Sequence, residues 1–177
     1  MRILVTGATG FVGAVLLPRL LDKYGASAVS AFVLPRDRIP DSWAGRGVGI
    51  HEGDIADAAA VRAAVAGRTH VVHLAGVISY WKGDRERLFR VNRDGARAVG
   101  EACLEAGVER LVHLSSVGAV GFHKNGRPAD EETPYNWPDS ILYMASKHAG
   151  EEAVEELPRP ADKRQPLQIL ILPRPLP

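Results

Sequence analysis

The first thirteen residues, MRILVTGATGFVG, constrain the fold more than any other stretch of this chain. Ile3, Leu4 and Val5 read as a buried strand, and the run from Thr6 to Gly13 turns sharply into the amphipathic segment VGAVLLPRLLDKYG. Glycines recur three apart at Gly7, Gly10 and Gly13. Each answers a separate physical demand of a strand-to-helix turn that holds a diphosphate. Gly7 permits the tight turn, Gly10 lets backbone approach phosphate oxygens with no Cβ in the way, and Gly13 allows the helix to pack closely. Free N–H groups at the start of the helix, with the positive end of its dipole, then receive the anion. Position after a strand and before a helix favours this reading over a bare glycine-rich turn.

A chain of 177 residues is expected to form one domain, residues 1–177, large enough for a sheet with helices on both faces. Hydrophobic content of 46% and charged content of 24% are ordinary for a globular protein. A net charge of +1 gives no argument for nucleic acid or an anionic membrane as partner. No apolar run approaches the roughly eighteen residues of a membrane span. Met1 leads straight into a strand, so no signal peptide is read. The lone cysteine, Cys103, falls inside a predicted helix and fits a buried structural thiol in a reducing, cytoplasmic setting.

Taken in order, Val12, Val15, Leu16 and Leu20 mark an apolar stripe on the first helix, which Pro18 should kink or loosen and Gly25 should close. Strands are predicted at 28–34, at a segment ending at 49–55, at 69–76, within 110–121 (a strand and its exit) and at 167–172. Helices are predicted at 56–67, 86–106 and 140–157, with a polar loop over 122–139. Six of the twelve prolines lie in the last twenty residues, so the tail reads as an irregular extended end. Alternating strands and helices imply parallel βαβ units with right-handed crossovers. The expected fold is therefore α/β: a doubly wound, Rossmann-type parallel sheet in three layers, with strand order 3-2-1-4-5-6. Ligands in that topology bind beyond the carboxyl ends of the strands, at the switch point between strands 1 and 4.

Several residues with chemical potential fall there. Asp54, with Ile55, follows the third strand; its carboxylate suits an adenine amino group, and equally the N-cap of the ADAAAV helix. Leu74, Ala75 and Gly76 put small side chains and bare backbone at the end of the fourth strand. Asn92 is a weak helix former in mid-helix, which a polar contact to a neighbouring strand would explain. Tyr143 and Lys147 share one helix face, so a cation sits beside a phenol and favours its ionised form. That makes Tyr143 a candidate general acid/base for a hydroxyl or carbonyl, with Ser115 or Ser116 holding the same oxygen. Alone, a Tyr/Lys pair on a helix is more often solvated; the glycine turn and the serines at a strand end reverse that judgement.

Other features are weaker. His70 and His73 lie three apart on a strand and point to opposite faces, and the other histidines have no ligand spacing, so no metal site is expected. Tyr80-Trp81 suits either a substrate cleft or an exposed loop. The acidic run Glu151-Glu152 to Glu155-Glu156 reads as a solvated helix face.

Together, TGATGFVG at 6–13, GDI at 53–55, LAG at 74–76, VN at 91–92, SSV at 115–117 and YMASK at 143–147 resemble the extended short-chain dehydrogenase/reductases, in order and spacing. The stretch after the fifth strand is similar to dihydroflavonol reductases, 3β-hydroxysteroid dehydrogenases and sugar epimerases. The resemblance implies bound NAD or NADP, contacted by Gly7, Thr9, Gly10, Phe11, Val12, Gly13, Asp54, Ile55, Leu74, Ala75 and Gly76. It makes Tyr143 the catalytic acid/base, and has Lys147 hold the nicotinamide ribose. Ser116, five residues before Gly121 as in the similar epimerases, orients the substrate oxygen. The implied reaction interconverts a secondary alcohol and a ketone in a small-molecule substrate, or epimerises a nucleotide sugar. A homodimer through helices 86–106 and 140–157 is also implied. The rival reading is a non-catalytic dinucleotide sensor or an inactive fragment.

Two departures stand out. Many NAD-using members carry an acid at the end of strand two, where this chain has Leu34; Arg36 and Arg38 follow and tilt the expectation to NADP, while Asp37 suits a ribose diol. Extended members also continue into a C-terminal substrate region, whereas this sequence stops at LPRPLP, so a truncated Rossmann domain is expected.

Overall fold

Six parallel strands form one sheet in the order β3-β2-β1-β4-β5-β6, in a computed structural model that describes residues 1–158 and the backbone of 167–170. The strands are β1 (Ile3–Thr6), β2 (Val29–Val33), β3 (Gly49–Glu52), β4 (His70–His73), β5 (Arg110–Leu114) and β6 (Leu167–Leu170). This is the expected doubly wound order. β1 sits centrally, Val5 pairing with Ala31 on one side and with Val72 on the other. Every residue of β1 and β2 is buried, which is why both read as apolar runs rather than alternating ones. The residues expected to continue the last strand, 171–172, and the proline-rich tail lie outside the described residues.

Alternation along β1 divides the core in two. Ile3 and Val5 face α1 (Phe11–Tyr24) in one cluster with Leu17, Leu21, Val29 and Trp43. Leu4 faces the other, where α3 (Ala58–Val65), α5 (Gly95–Glu105) and α6 (Leu142–Glu155) pack through Val61, Val99, Ala102 and Val154. Full burial of a side chain such as Leu17 contributes about 1.5–3 kcal/mol. Trp43, 1% exposed, comes from α2 (Asp41–Ala44), a single turn too short to show as a periodic stripe in the sequence.

Three details differ from expectation. The buried face of α1 is Gly13, Leu17 and Leu21, whereas Val15 is half exposed. The apolar stripe is therefore shifted by one position, because Gly13 rather than a branched residue makes the close approach. Pro18 does not interrupt α1, since the carbonyl it leaves unpaired, that of Ala14, lies on the exposed side. The predicted helix 86–106 is three segments: α4 (Arg85–Phe89), a π turn (Arg90–Asp94) and α5. Among the described residues, no helix is long and apolar enough to cross a membrane.

Candidate functional site

At the end of β1 the chain turns through Gly7, whose φ of +65° belongs to the left-handed region that side chains avoid. A Cβ there would also lie 2.6 Å from the Ala75 amide nitrogen, so the turn presses against the exit of β4. A Cβ on Gly13 would collide with the carbonyls of Gly7 and Ala8, and its absence lets α1 start directly over the turn. Gly10 closes the turn, its N–H donating to the Gly7 carbonyl at 3.0 Å, and it is the helix N-cap. No side chain caps that end, and its first turn holds no acid. This cradle of bare amides fits a pyrophosphate: it offers donors, a positive dipole end and no competing anion.

The cleft continues to both sides of the turn. Toward β2 and β3 it encloses about 290 Å3 and is lined by Thr9, Arg36, Asp37, Asp54, Ile55 and the Leu74–Gly76 strand end, among others. Asp37 is fastened in place: its Oδ2 accepts from the Thr9 hydroxyl at 2.6 Å and from the Leu34 amide at 3.1 Å. An acid is thus tied to the end of β2, although it comes from beyond Leu34 in the chain. Arg36 lines the same wall. Asp54 accepts from the Ala56 amide at 3.0 Å and lies 3.6 Å from Arg90. The N-cap of α3 is Asp57, whose Oδ1 accepts from Ala59 and Ala60. The capping alternative for Asp54 is therefore corrected: capping requires the residue immediately before the first helical turn, and that residue is Asp57.

Toward β5 the cleft encloses about 210 Å3, bounded by Phe11, Val12, Gly13, Ile78, Ser115, Tyr143 and Lys147, with Gly7, Gly10, Leu74 and Gly76 shared with the other half. Tyr143 and Lys147 lie on the first two turns of α6 and come to this wall together. Lys147 is 7% exposed, and its Nζ donates to the Leu114 carbonyl at 2.9 Å. Burial pulls its pKa down to about 8, while Glu151 opposes the shift. The Tyr80 ring meets Tyr143 edge-on at 5.9 Å. The serines separate: Ser115 Oγ is buried without a well-formed hydrogen bond, while Ser116 Oγ accepts from the Gly118 amide at 3.2 Å and is not among the residues bounding the cleft.

Asn92 ties this half together. Its Oδ1 accepts from Val77 N at 2.8 Å, and its Nδ2 donates to Val77 O at 3.0 Å and to Ser146 Oγ at 2.9 Å. Ser146 in turn donates to the Tyr143 carbonyl at 2.8 Å. The π turn sets Asn92 between the β4 exit and α6, and a Cβ on Gly150 would strike the Asn92 carbonyl. The expected polar contact is present, made to the loop just beyond the strand.

Beneath the cleft lies a polar layer that sequence reasoning missed. His73 Nδ1 and Thr6 Oγ1 are 2.7 Å apart, and the His73 and His113 rings stack at 5.1 Å. The register of β4 with β5 pairs the two residues directly. Both are neutral: burial, then the charge of Lys147, takes His113 down to about 3, and burial with His113 and Lys147 takes His73 well below its usual range. Glu151 also departs from expectation. Its neighbours Glu152, Glu155 and Glu156 are solvated, whereas Glu151 turns inward with Oε1 buried. Nothing in the spacing of four glutamates distinguishes that one; only its place one turn after Lys147 carries the signal.

The family model for the NAD dependent epimerase/dehydratase family matches residues 3–164. A putative dihydroflavonol 4-reductase of Synechocystis is 35% identical over 94% of this chain and 47% of its own length. A 3 beta-hydroxysteroid dehydrogenase/Delta 5-->4-isomerase of Mycobacterium tuberculosis is 36% identical over 86% of this chain and 42% of its own. Among solved structures, the UDP-glucose 4-epimerase of Thermus thermophilus in complex with NAD superposes with a TM-score of 0.70 at 32% identity, covering 88% of this chain and 50% of that one. The chain thus spans about half the length of the relatives it matches. With a glycine turn, a switch-point cleft and a Tyr/Lys pair all falling inside the matched segment, the chain belongs to the NAD dependent epimerase/dehydratase family.

Proposed function

We propose that this chain carries the dinucleotide-binding and proton-transfer half of an NAD-dependent oxidoreductase or epimerase acting on a secondary alcohol/ketone pair. The observation that supports it is the meeting of the glycine turn, Tyr143 and Lys147 along one continuous cleft. The bound nicotinamide supplies hydride exchange with the substrate carbon. The residues of this chain do the rest. The amides at the start of α1 hold the pyrophosphate, and Ile55 with the Leu74–Gly76 strand end borders the adenosine. Lys147 donates to the nicotinamide ribose, while another of its N–H groups stays committed to Leu114. Tyr143 gives its phenolic proton to the carbonyl oxygen as the carbon is reduced, and takes it back when an alcohol is oxidised. Ser116 is assigned to orient that oxygen, while Ser115 is the serine that bounds the compartment with Tyr143 and Lys147. If the substrate is a nucleotide sugar, the same transfer run both ways across one carbon epimerises it.

Between the two dinucleotides, Asp37 favours NAD. Its carboxylate is anchored by Thr9 on the cleft wall, suited to a ribose diol and repelling a 2′-phosphate, and the epimerase from Thermus thermophilus holds NAD. Arg36, on the same wall, supports NADP. Paired titrations distinguish them: Asp37 control gives NAD the tighter binding, and Asp37→Ala narrows the gap. For the chemistry, Tyr143→Phe should bind dinucleotide as before and lose about 1,000-fold in turnover of a ketone panel, in line with removal of a general acid. Equal turnover of both proteins refutes the assignment to Tyr143. Ser116→Ala and Ser115→Ala, run alongside, show which hydroxyl holds the substrate.

A further inference from the structure

We propose that Glu151 is a positioning residue for the cleft's ammonium group: from one helical turn beyond Lys147, with an oxygen buried at the β5–α6 junction, its carboxylate keeps Lys147 charged. The inference rests on the reading that Lys147 serves the dinucleotide, and it assigns an electrostatic task to a side chain outside the cleft.

An ammonium only 7% exposed, with one hydrogen bond to Leu114, gives up its proton readily unless a counter-charge stands near it. The elements packed around Lys147 offer few candidates. β4 presents His73 and β5 presents His113, both neutral and therefore no source of negative charge. The π turn presents Asn92, whose amide is spent on Val77 and Ser146. On α6 itself stand Tyr143 and Glu151, each four residues from Lys147 on the same face. Of these two, Glu151 brings the carboxylate, and it opposes the burial that pulls the Lys147 pKa down. Its own surroundings are Ser115, His148, Glu155 and Lys147; burial and Glu155 push its pKa up, and the other three pull it down. Tyr135 stacks on His148 at 4.0 Å. A carboxylate turned inward with one oxygen unpartnered is costly by itself. Ser115, His148 and the buried cation one turn away together offset that cost.

The test needs no turnover. The full chain, labelled at lysine Cε, is titrated by NMR, and the Lys147 signal is identified by its loss in Lys147→Met. The wild-type midpoint is expected near 8. Glu151→Gln, which keeps shape and removes charge, should weaken proton binding at Lys147 by about tenfold, so that the midpoint falls. Glu152→Gln, on the solvated side of the same turn, should leave it in place. A folded Glu151→Gln protein with the wild-type midpoint overturns the proposal. Should that variant fail to fold, Glu151→Asp, which withdraws the charge by one methylene, must lower the midpoint by a smaller amount; no change overturns the proposal equally. Because the readout is a titration, it stands apart from the catalytic reading: a shifted midpoint alongside full turnover in Tyr143→Phe would sink the latter alone.

Discussion

Two parts of the cleft are built from different materials. The turn over α1, which joins the two compartments, is made of backbone: three glycines, a left-handed turn and uncapped amides. The half beside α6 is made of side chains that meet from distant parts of the chain, with Asn92 reaching Val77 and Ser146, and His73 stacking on His113. A backbone cradle tolerates almost no substitution but imposes little on residues elsewhere. A side-chain network tolerates graded change, because each partner contributes separately and each loss has its own size. The contrast predicts where variants should abolish binding and where they should only retune the site.

The largest effect should come from the backbone turn. Gly13→Val places branched carbon against the Gly7 and Ala8 carbonyls, and Gly7→Val adds a β-branched residue at φ +65°. Either should cut dinucleotide affinity by at least about 100-fold, measured by quenching of tryptophan fluorescence. Wild-type affinity in both would break the comparison. In the side-chain half, Asn92→Ala leaves the Val77 N–H and C=O without their partner and should destabilise by about 2–3 kcal/mol in urea unfolding. Asn92→Asp, which keeps the acceptor and loses the donors, should fall between wild type and the alanine variant.

Much of the cleft is legible in the sequence wherever its requirements are local. Glycine spacing reports a backbone need directly, and Tyr143 with Lys147 is a helical repeat that can be counted. The remainder depends on register and packing. That β4 pairs with β5 at His73 and His113 is a tertiary fact, invisible in two separate HL dipeptides. Asp54 and Asp57 are both plausible caps until the first turn of α3 is fixed. The π turn at Asn92 packs where Gly150 lacks a Cβ, more than fifty residues away. Asp37 reads from sequence as a candidate ribose ligand, but its anchoring by Thr9 exists only once β1 and β2 lie side by side.

A smaller effect should appear with pH. His113 is held neutral with its pKa pulled down to about 3, so the stability it contributes is complete above its ordinary value of about 6.5 and is lost as pH falls below it. His73 acts in the same direction. Melting temperatures should therefore drop through the range from about 6.5 toward 4, and His113→Leu should make that slope shallower. An unchanged slope would show that the layer beneath the cleft does not titrate as a unit with the fold. Smallest of all, Asn136→Ala removes the two bonds to the Phe122 backbone that pin the 122–139 loop and should cost about 1 kcal/mol, with the cleft's dinucleotide affinity intact.

Everything proposed for the cleft depends on a pyrophosphate sitting on the amino end of α1 and aiming the nicotinamide at Tyr143. A crystal structure of the protein with NAD tests it most directly. Phosphate oxygens should lie within about 2.7–3.2 Å of the Phe11 and Val12 amides, with the nicotinamide ring in the compartment bounded by Tyr143 and Lys147. A dinucleotide bound elsewhere, or one lying in the cleft with its diphosphate away from those amides, would contradict it.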